Sequence, residues 1–144
     1  MIWKNFNKWF EIVGSGGIDM VNDTIKVMLC TSSFTPDVDN MNFKSDITNE
    51  VSGTGYTAGG QALASKAWTR DDANDRAYFD AADVQWASST ITARFAVIYK
   101  DTGTPTTSPV IGYFDFEADK SSDAGNFTLE WNASGIFDLK NPTV

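Results

Sequence analysis

The stretch Thr90–Lys100 constrains the fold more than any other. Ile91, Ala93, Phe95, Val97 and Tyr99 fall on one side of it, and Thr90, Thr92 and Arg94 on the other. Period two with β-branched and aromatic residues is the pattern of a strand with one face in a core. Such a strand needs sheet partners, and the chain offers several. Thr24–Cys30 alternates too, with Ile25, Val27 and Leu29 opposite Thr24, Lys26 and Met28. Gln61–Thr69, Arg76–Asp80, Val84–Trp86, Val110–Glu117 and Asn126–Trp131 read as further strands, and in the last Phe127, Leu129 and Trp131 point one way. Asp71–Asp75 reads as a turn, Asp101–Pro109 as a loop of Gly, Thr, Ser and Pro, and Gly135–Leu139 closes the domain. Short strands without strand–helix alternation predict a mainly β domain, an antiparallel β-sandwich or barrel-like fold with a short N-terminal helix.

The helix is read at the start of the chain. Trp3, Phe6, Phe10 and Val13 recur at helical spacing, and Gly14-Ser15-Gly16-Gly17 ends the pattern. This predicts a helix over 3–13. The 144 residues then form a single domain, with a helical arm over 1–17 and a β domain over 18–144. Trp9 and Ile12 widen the apolar surface beyond what one short helix buries. The helix therefore either packs on the sheet or docks on another subunit. Thr31–Ile47 is polar, carries Pro36 and shows no period; a long excursion of this kind is often functional or ordered by a partner. Trp3, Phe6, Trp9, Phe10, Phe34 and Phe43 are the candidate interaction residues.

Asn49–Leu63 places Gly53, Gly55, Gly59 and Gly60 around Tyr56. Such a loop could cradle a phosphate or hold a structural turn. Its spacing is not G-x-G-x-x-G, it lacks the closing Lys-Ser/Thr of a P-loop, and no helical pattern follows. The structural reading is that Gly53 and Gly55 take backbone angles closed to other residues while Tyr56 covers the core edge. Gly59 and Gly60 would allow a bulge or a close chain crossing.

Composition narrows the chemistry. Histidine is absent, which removes the usual general base, the commonest metal ligand and every Ser–His or Cys–His pair. Cys30 is the lone cysteine, so there is no intrachain disulfide and no thiolate zinc site; in its apolar run it reads as a small core residue. Asp71, Asp72, Asp75, Asp80, Asp83, Asp115, Glu117 and Asp119 are numerous, but nothing marks a glycosidase pair, and Asp71–Asp75 matches no EF-hand loop. Trp68, Trp86 and Trp131 lie in strand patterns, which favours burial over sugar stacking. The expectation is a non-enzyme with no cofactor and no metal. A net charge of −8 with scattered Lys and Arg argues against nucleic acid or an anionic membrane as partner. No signal peptide or membrane-length apolar run is evident, so the three Asn-x-Ser/Thr triplets at Asn22, Asn126 and Asn132 carry little weight.

Several segments together carry a resemblance. They are Ile18-Asp19, Asp23-Thr24-Ile25-Lys26-Val27-Met28-Leu29, Thr31-Ser32-Ser33-Phe34-Thr35-Pro36-Asp37, the glycine segment, Asp83-Val84-Gln85-Trp86, Thr90-Ile91-Thr92-Ala93-Arg94, Tyr99-Lys100-Asp101-Thr102-Gly103, Ser108-Pro109 and Asp115-Phe116. Over nearly its whole length the chain resembles a family of small structural proteins of tailed bacteriophages, of the head decoration or head fibre type. The resemblance implies a virion component made in the host cytoplasm, with no catalytic residues to carry over. Its expected role is a capsid decoration (cement) protein, a homotrimer bound to the major capsid protein. The alternatives are a tail or head-fibre component that contacts the host or another virion protein, and a carbohydrate-binding module. The aromatic start is richer in Trp than this family leads one to expect.

Overall fold

The strand expected at Thr90–Lys100 is one half of a longer ribbon. The structure, a computed structural model, describes residues 1–142. In chain order the elements are β1 (Ile2–Asn5), α1 (Asn7–Gly14), β2 (Ile25–Cys30), β3 (Gln61–Ala62), β4 (Ala67–Asp71), β5 (Arg76–Asp80), β6 (Val84–Lys100), β7 (Val110–Leu129) and β8 (Phe137–Lys140). They form two antiparallel sheets, one ordered β1-β7-β6-β2-β3 and one ordered β4-β5-β8. The fold is mainly β and sandwich-like, with one short α-helix near its N-terminus.

β6 and β7 each join two segments that read as separate strands. The residues between, Ala87-Ser88-Ser89 and Ala118–Gly125, are small or polar and look like turns in sequence. In the fold they remain in the β6–β7 ladder, which shifts register between Trp86 and Ser89, between Ser89 and Ile91, and again between Ala93 and Phe95. Ser88, Glu117 and Ala124 adopt positive φ at these irregularities. The reverse holds for Gln61–Thr69. It breaks after Ala62, and its second half becomes β4 of the other sheet.

The bulges decide which side chains are buried together. A one-residue slip in a strand exchanges its two faces. Val84 and Trp86, then Ile91 and Ala93, then Ala96 and Ile98 all enter one core. Phe95, Val97 and Tyr99 enter a second core on the opposite face. The single face expected for Ile91, Ala93, Phe95, Val97 and Tyr99 is therefore corrected. The strand irregularity between Ala93 and Phe95 divides the set.

The larger core lies between the five-stranded sheet, the three-stranded sheet and α1, and includes Trp9, Ile12, Phe79, Phe114 and Phe137. The second holds Phe6, Met28, Cys30, Phe34, Phe95, Val97, Tyr99, Val110 and Tyr113, with Val38, Met41 and Ile47 packed against it. The Thr31–Ile47 excursion thus covers the second face of the sheet. Phe34 is its anchor, edge-on to Phe95 at 5.5 Å. Its polar residues make the turns, as where the Asp37 carboxylate accepts the N–H groups of Asp39 and Asn40.

The helix expected over 3–13 is shorter. Residues 2–5 are β1, paired from Ile2 opposite Asp115 to Asn5 opposite Gly112, and Phe6 precedes the helix in an extended conformation. The edge of β7 competes with the helix for these residues and wins because Trp3 gains a socket there. A Cβ on Gly112 would overlap the Trp3 ring. Trp3 stacks on Phe137 with centroids 4.7 Å apart and planes 7° from parallel. The expected N-terminal arm is thus a strand and a helix built into the same cores as the rest of the chain.

Candidate functional site

The glycine segment folds as a clasp over the free edge of β2. Beyond Val27, β3 no longer pairs with β2, and the edge is completed by the Tyr56 side chain and the backbone of residues 49–51. The Leu29 N–H donates to the Tyr56 hydroxyl at 2.9 Å, and the Val51 N–H donates to the Leu29 carbonyl at 2.9 Å. Tyr56 in turn donates to Glu50 Oε1 at 2.8 Å, and the Gly59 N–H donates to the same oxygen. The Tyr99 hydroxyl donates to the Gly59 carbonyl at 2.7 Å. Glu50 was not singled out in the sequence; its only signal is its place just before the first glycine.

The glycines are needed where the chain passes closest to its neighbours. Gly60 has φ +71°, and a Cβ there would collide with the Val27 carbonyl and lie 2.7 Å from Met28 Cα. Gly55 has φ +80°, and a Cβ there would lie 2.8 Å from Ser89 Cα. The sequence suggested a close crossing at Gly59-Gly60, and it falls at Gly60. Gly59 has φ +92° but only side-chain ends near it. Gly55, expected to need a special backbone angle, has one and is a crossing as well. Gly53 lies equally close, with the Thr90 carbonyl 2.5 Å from its Cβ position. Tyr56 packs against Trp86 at 5.8 Å, within the larger core.

The clasp holds its acidic groups protonated or already bonded. Burial raises the Tyr56 phenol well above its ordinary pKa; the Leu29 N–H partly offsets this, and the nearby Glu50 carboxylate adds to the rise. Burial also raises Tyr99, helped by Asp101 and Glu50. Burial, and then Glu50, push the Cys30 thiol up to about 12. Three of the loop amides are also occupied. Gly60 donates to Thr57, Tyr56 donates to Gly53, and Gly59 already holds a carboxylate. An anion seeking the Gly59 amide would have to displace Glu50.

The carboxylates are distributed among separate ion pairs and turns. Asp71 accepts from Arg76 and Asn74, Asp115 from Arg94, Asp101 pairs with Lys26, and Asp23 with Lys100. Among the described residues, no group of three or more His, Cys, Asp or Glu side chains is placed to hold a metal ion. Asp75 takes a left-handed conformation at the turn into β5. Trp86 is buried, while Trp68 and Trp131 are half-buried.

The six candidate interaction residues separate in space. Phe6, Trp9 and Phe34 are buried inside the chain's own cores, and Trp3 is half-buried against Phe114 and Phe137. Phe43 is half-buried, with the Lys8 ammonium 5.2 Å from its ring centre. Of the six, Phe10 alone is exposed, at 54 %. The sequence reading missed three further exposed apolar side chains, Met1, Ile2 and Val21. Their signal was hidden because Met1 and Ile2 precede what read as a helix. No helix among the described residues is long and apolar enough to cross a membrane.

Comparison with protein-family models, with curated proteins and with solved structures finds no match for this chain.

Proposed function

We propose that the protein is a structural component of a tailed-bacteriophage virion and acts as a decoration protein on the head shell. The observation that carries this reading is the series of segments from Ile18-Asp19 to Asp115-Phe116 that resembles that family. Many of those segments build framework. Asp19 accepts the N–H groups of Val21 and Asn22 in the turn before β2. Asp101 accepts the Gly103 N–H, and Ser108 is buried and donates to the Thr104 carbonyl. Segments that hold turns and crossings in this chain fit a role in assembly rather than turnover.

In this reading the protein works by being rigid and by presenting a surface. Cores on both faces of the central sheet give the rigidity. Phe10, exposed on α1, is the contact we assign to the shell or to a neighbouring subunit of a homotrimer, since exposed aromatics are frequent interface anchors. Trp3, Phe6, Trp9 and Phe34 have a structural role instead. The test is sedimentation of purified protein with undecorated heads. Phe10→Asp should lower occupancy at least tenfold while leaving the fold intact. Unchanged occupancy would remove Phe10 from the interface. A native protein that binds tails and not heads would replace decoration by a tail role.

A further inference from the structure

A cleft of about 570 Å³ is lined from β1, β5, β7 and the segment that runs from Trp131 into β8. Its volume lies in the ~300–1,000 Å³ range of small-molecule sites. Trp3, Phe114 and Trp131 line it with aromatic rings, and Arg76, Asn132 and Asp138 with polar groups. Phe114 packs against both tryptophans, with ring centres 4.8 Å from Trp3 and 5.7 Å from Trp131.

The two tryptophans differ in what they leave for a ligand. Trp3 stacks on Phe137 and lies against Gly112, which commits its ring to the fold. Trp131 lies beyond the end of β7 and is only half-buried. Its backbone N–H donates to Asp83 Oδ1 at 2.8 Å and its indole N–H to the Ala82 carbonyl at 3.0 Å. With both N–H groups used, what Trp131 offers the cleft is the apolar body of a ring held in place.

The polar groups keep capacity to spare. Arg76 donates Nε–H to Asp71 and Nη1–H to Asp138, leaving further N–H donors on its guanidinium. Asp138 accepts that bond through Oδ2, which leaves Oδ1. Asn132 accepts the Ser134 N–H through Oδ1, which leaves its amide NH2 group. A fixed ring beside fixed donors and acceptors matches a sugar, whose C–H face is apolar and whose hydroxyls both donate and accept. Charge narrows the class. Two carboxylates surround the one guanidinium, in a chain of net charge −8, which disfavours sialylated, sulfated or phosphorylated sugars. We infer that this cleft binds a neutral sugar unit of an oligosaccharide, with Trp131 as its platform and Arg76, Asn132 and Asp138 as partners of its hydroxyls. The inference rests on the cleft alone and is independent of a place in a virion.

The test probes an array of neutral, sialylated and sulfated oligosaccharides with the purified full chain. Titration calorimetry and NMR shift mapping follow with the strongest neutral binder. Neutral oligosaccharides should bind and charged ones should not, and shifts should concentrate on Arg76 and residues 131–138. Trp131→Ala should lose at least tenfold in affinity. Asn132→Ala, a change at an exposed residue, should keep its fold by circular dichroism and lose at least threefold. Phe10→Asp, outside the cleft, should bind as the native chain does. Where Trp131→Ala does not fold, Asn132→Ala and the shift map decide. The inference is overturned by an array with no neutral binder, by preference for charged glycans, by shifts centred elsewhere on the chain, or by unchanged affinity in folded Trp131→Ala or in Asn132→Ala.

Discussion

The hydroxyl of Tyr56 takes the place of a strand partner for the Leu29 N–H, accepting it at 2.9 Å between the β3 pairing and the backbone bonds of residues 49–51 to the same edge of β2. Glu50 holds that hydroxyl from the other side. Removing it leaves the Leu29 N–H and the Glu50 carboxylate each short of a partner in a part-buried place. Tyr56→Phe should therefore cost about 1–3 kcal/mol. Urea denaturation measures this as a lower midpoint at unchanged slope, and an unchanged midpoint would show that the clasp contributes nothing.

Gly60 and Gly103 separate crowding from backbone angle. Both have positive φ, but a Cβ at Gly103 meets nothing within 4 Å, whereas one at Gly60 runs into the Val27 carbonyl. Gly103→Ala should cost about 1–2 kcal/mol, the conformational term alone. Gly60→Ala should exceed about 4 kcal/mol or fail to give soluble protein. Equal stabilities of the two variants in denaturant would mean that the chain crossing at Gly60 is looser than described.

Trp3 and Phe10 are both N-terminal aromatics with opposite tasks. Trp3→Ala empties the socket over Gly112 and breaks the stack on Phe137, and should cost about 3 kcal/mol or more. Phe10→Ala removes an exposed ring and should change stability by no more than about 0.5 kcal/mol. Thermal melts of the two variants give the answer. A large loss at Phe10 would mean that the ring supports the fold, and its assignment as a contact residue would lapse.

Cys30 gives a pH dependence whose sign is fixed. Burial raises its pKa from an ordinary value of 9.0 to about 12 in the folded chain. The folded state therefore holds the thiol proton more tightly than the unfolded state does. Its contribution is constant below about 9 and falls as pH rises from about 9 towards about 12. Tyr56 and Tyr99, raised in the same direction, steepen the loss at higher pH. Denaturation between neutral pH and pH about 10.5 should show stability falling, less steeply in Cys30→Ala. Native protein should resist thiol reagents at neutral pH and react fully once unfolded. Labelling of the native chain at the rate of a free thiol would contradict the buried position.

Local pattern made much of this fold legible. Period two located β2 and the Thr90–Lys100 half of β6, β5 was read as a short strand after a turn, and the glycines pointed to a crossing at Gly59-Gly60. The strand at Ile2–Asn5 was hidden because Trp3, Phe6, Phe10 and Val13 satisfy a helical period while the competing partner, the β7 edge, lies more than a hundred residues away. The face exchange in β6 was hidden for a related reason. Ala93-Arg94-Phe95 fits plain alternation, and only the pairing with β7 shows the irregularity. The excursion at Thr31–Ile47 looked free because its polar residues outnumber its anchors, Phe34, Val38, Met41 and Ile47. In the clasp, Tyr56 could be read from its glycines, but Glu50 could not, since a lone Glu in a loop has no pattern.

The account stands most directly on where the protein sits in an intact particle. Cryo-EM of tailed-phage particles purified from cells that express this chain would measure it. The β domain described here should fit a density repeated over the outer surface of the head, in contact with the major capsid protein and grouped in threes. Heads bare of such density, with the chain found on the tail or absent from the particle, would contradict the decoration role.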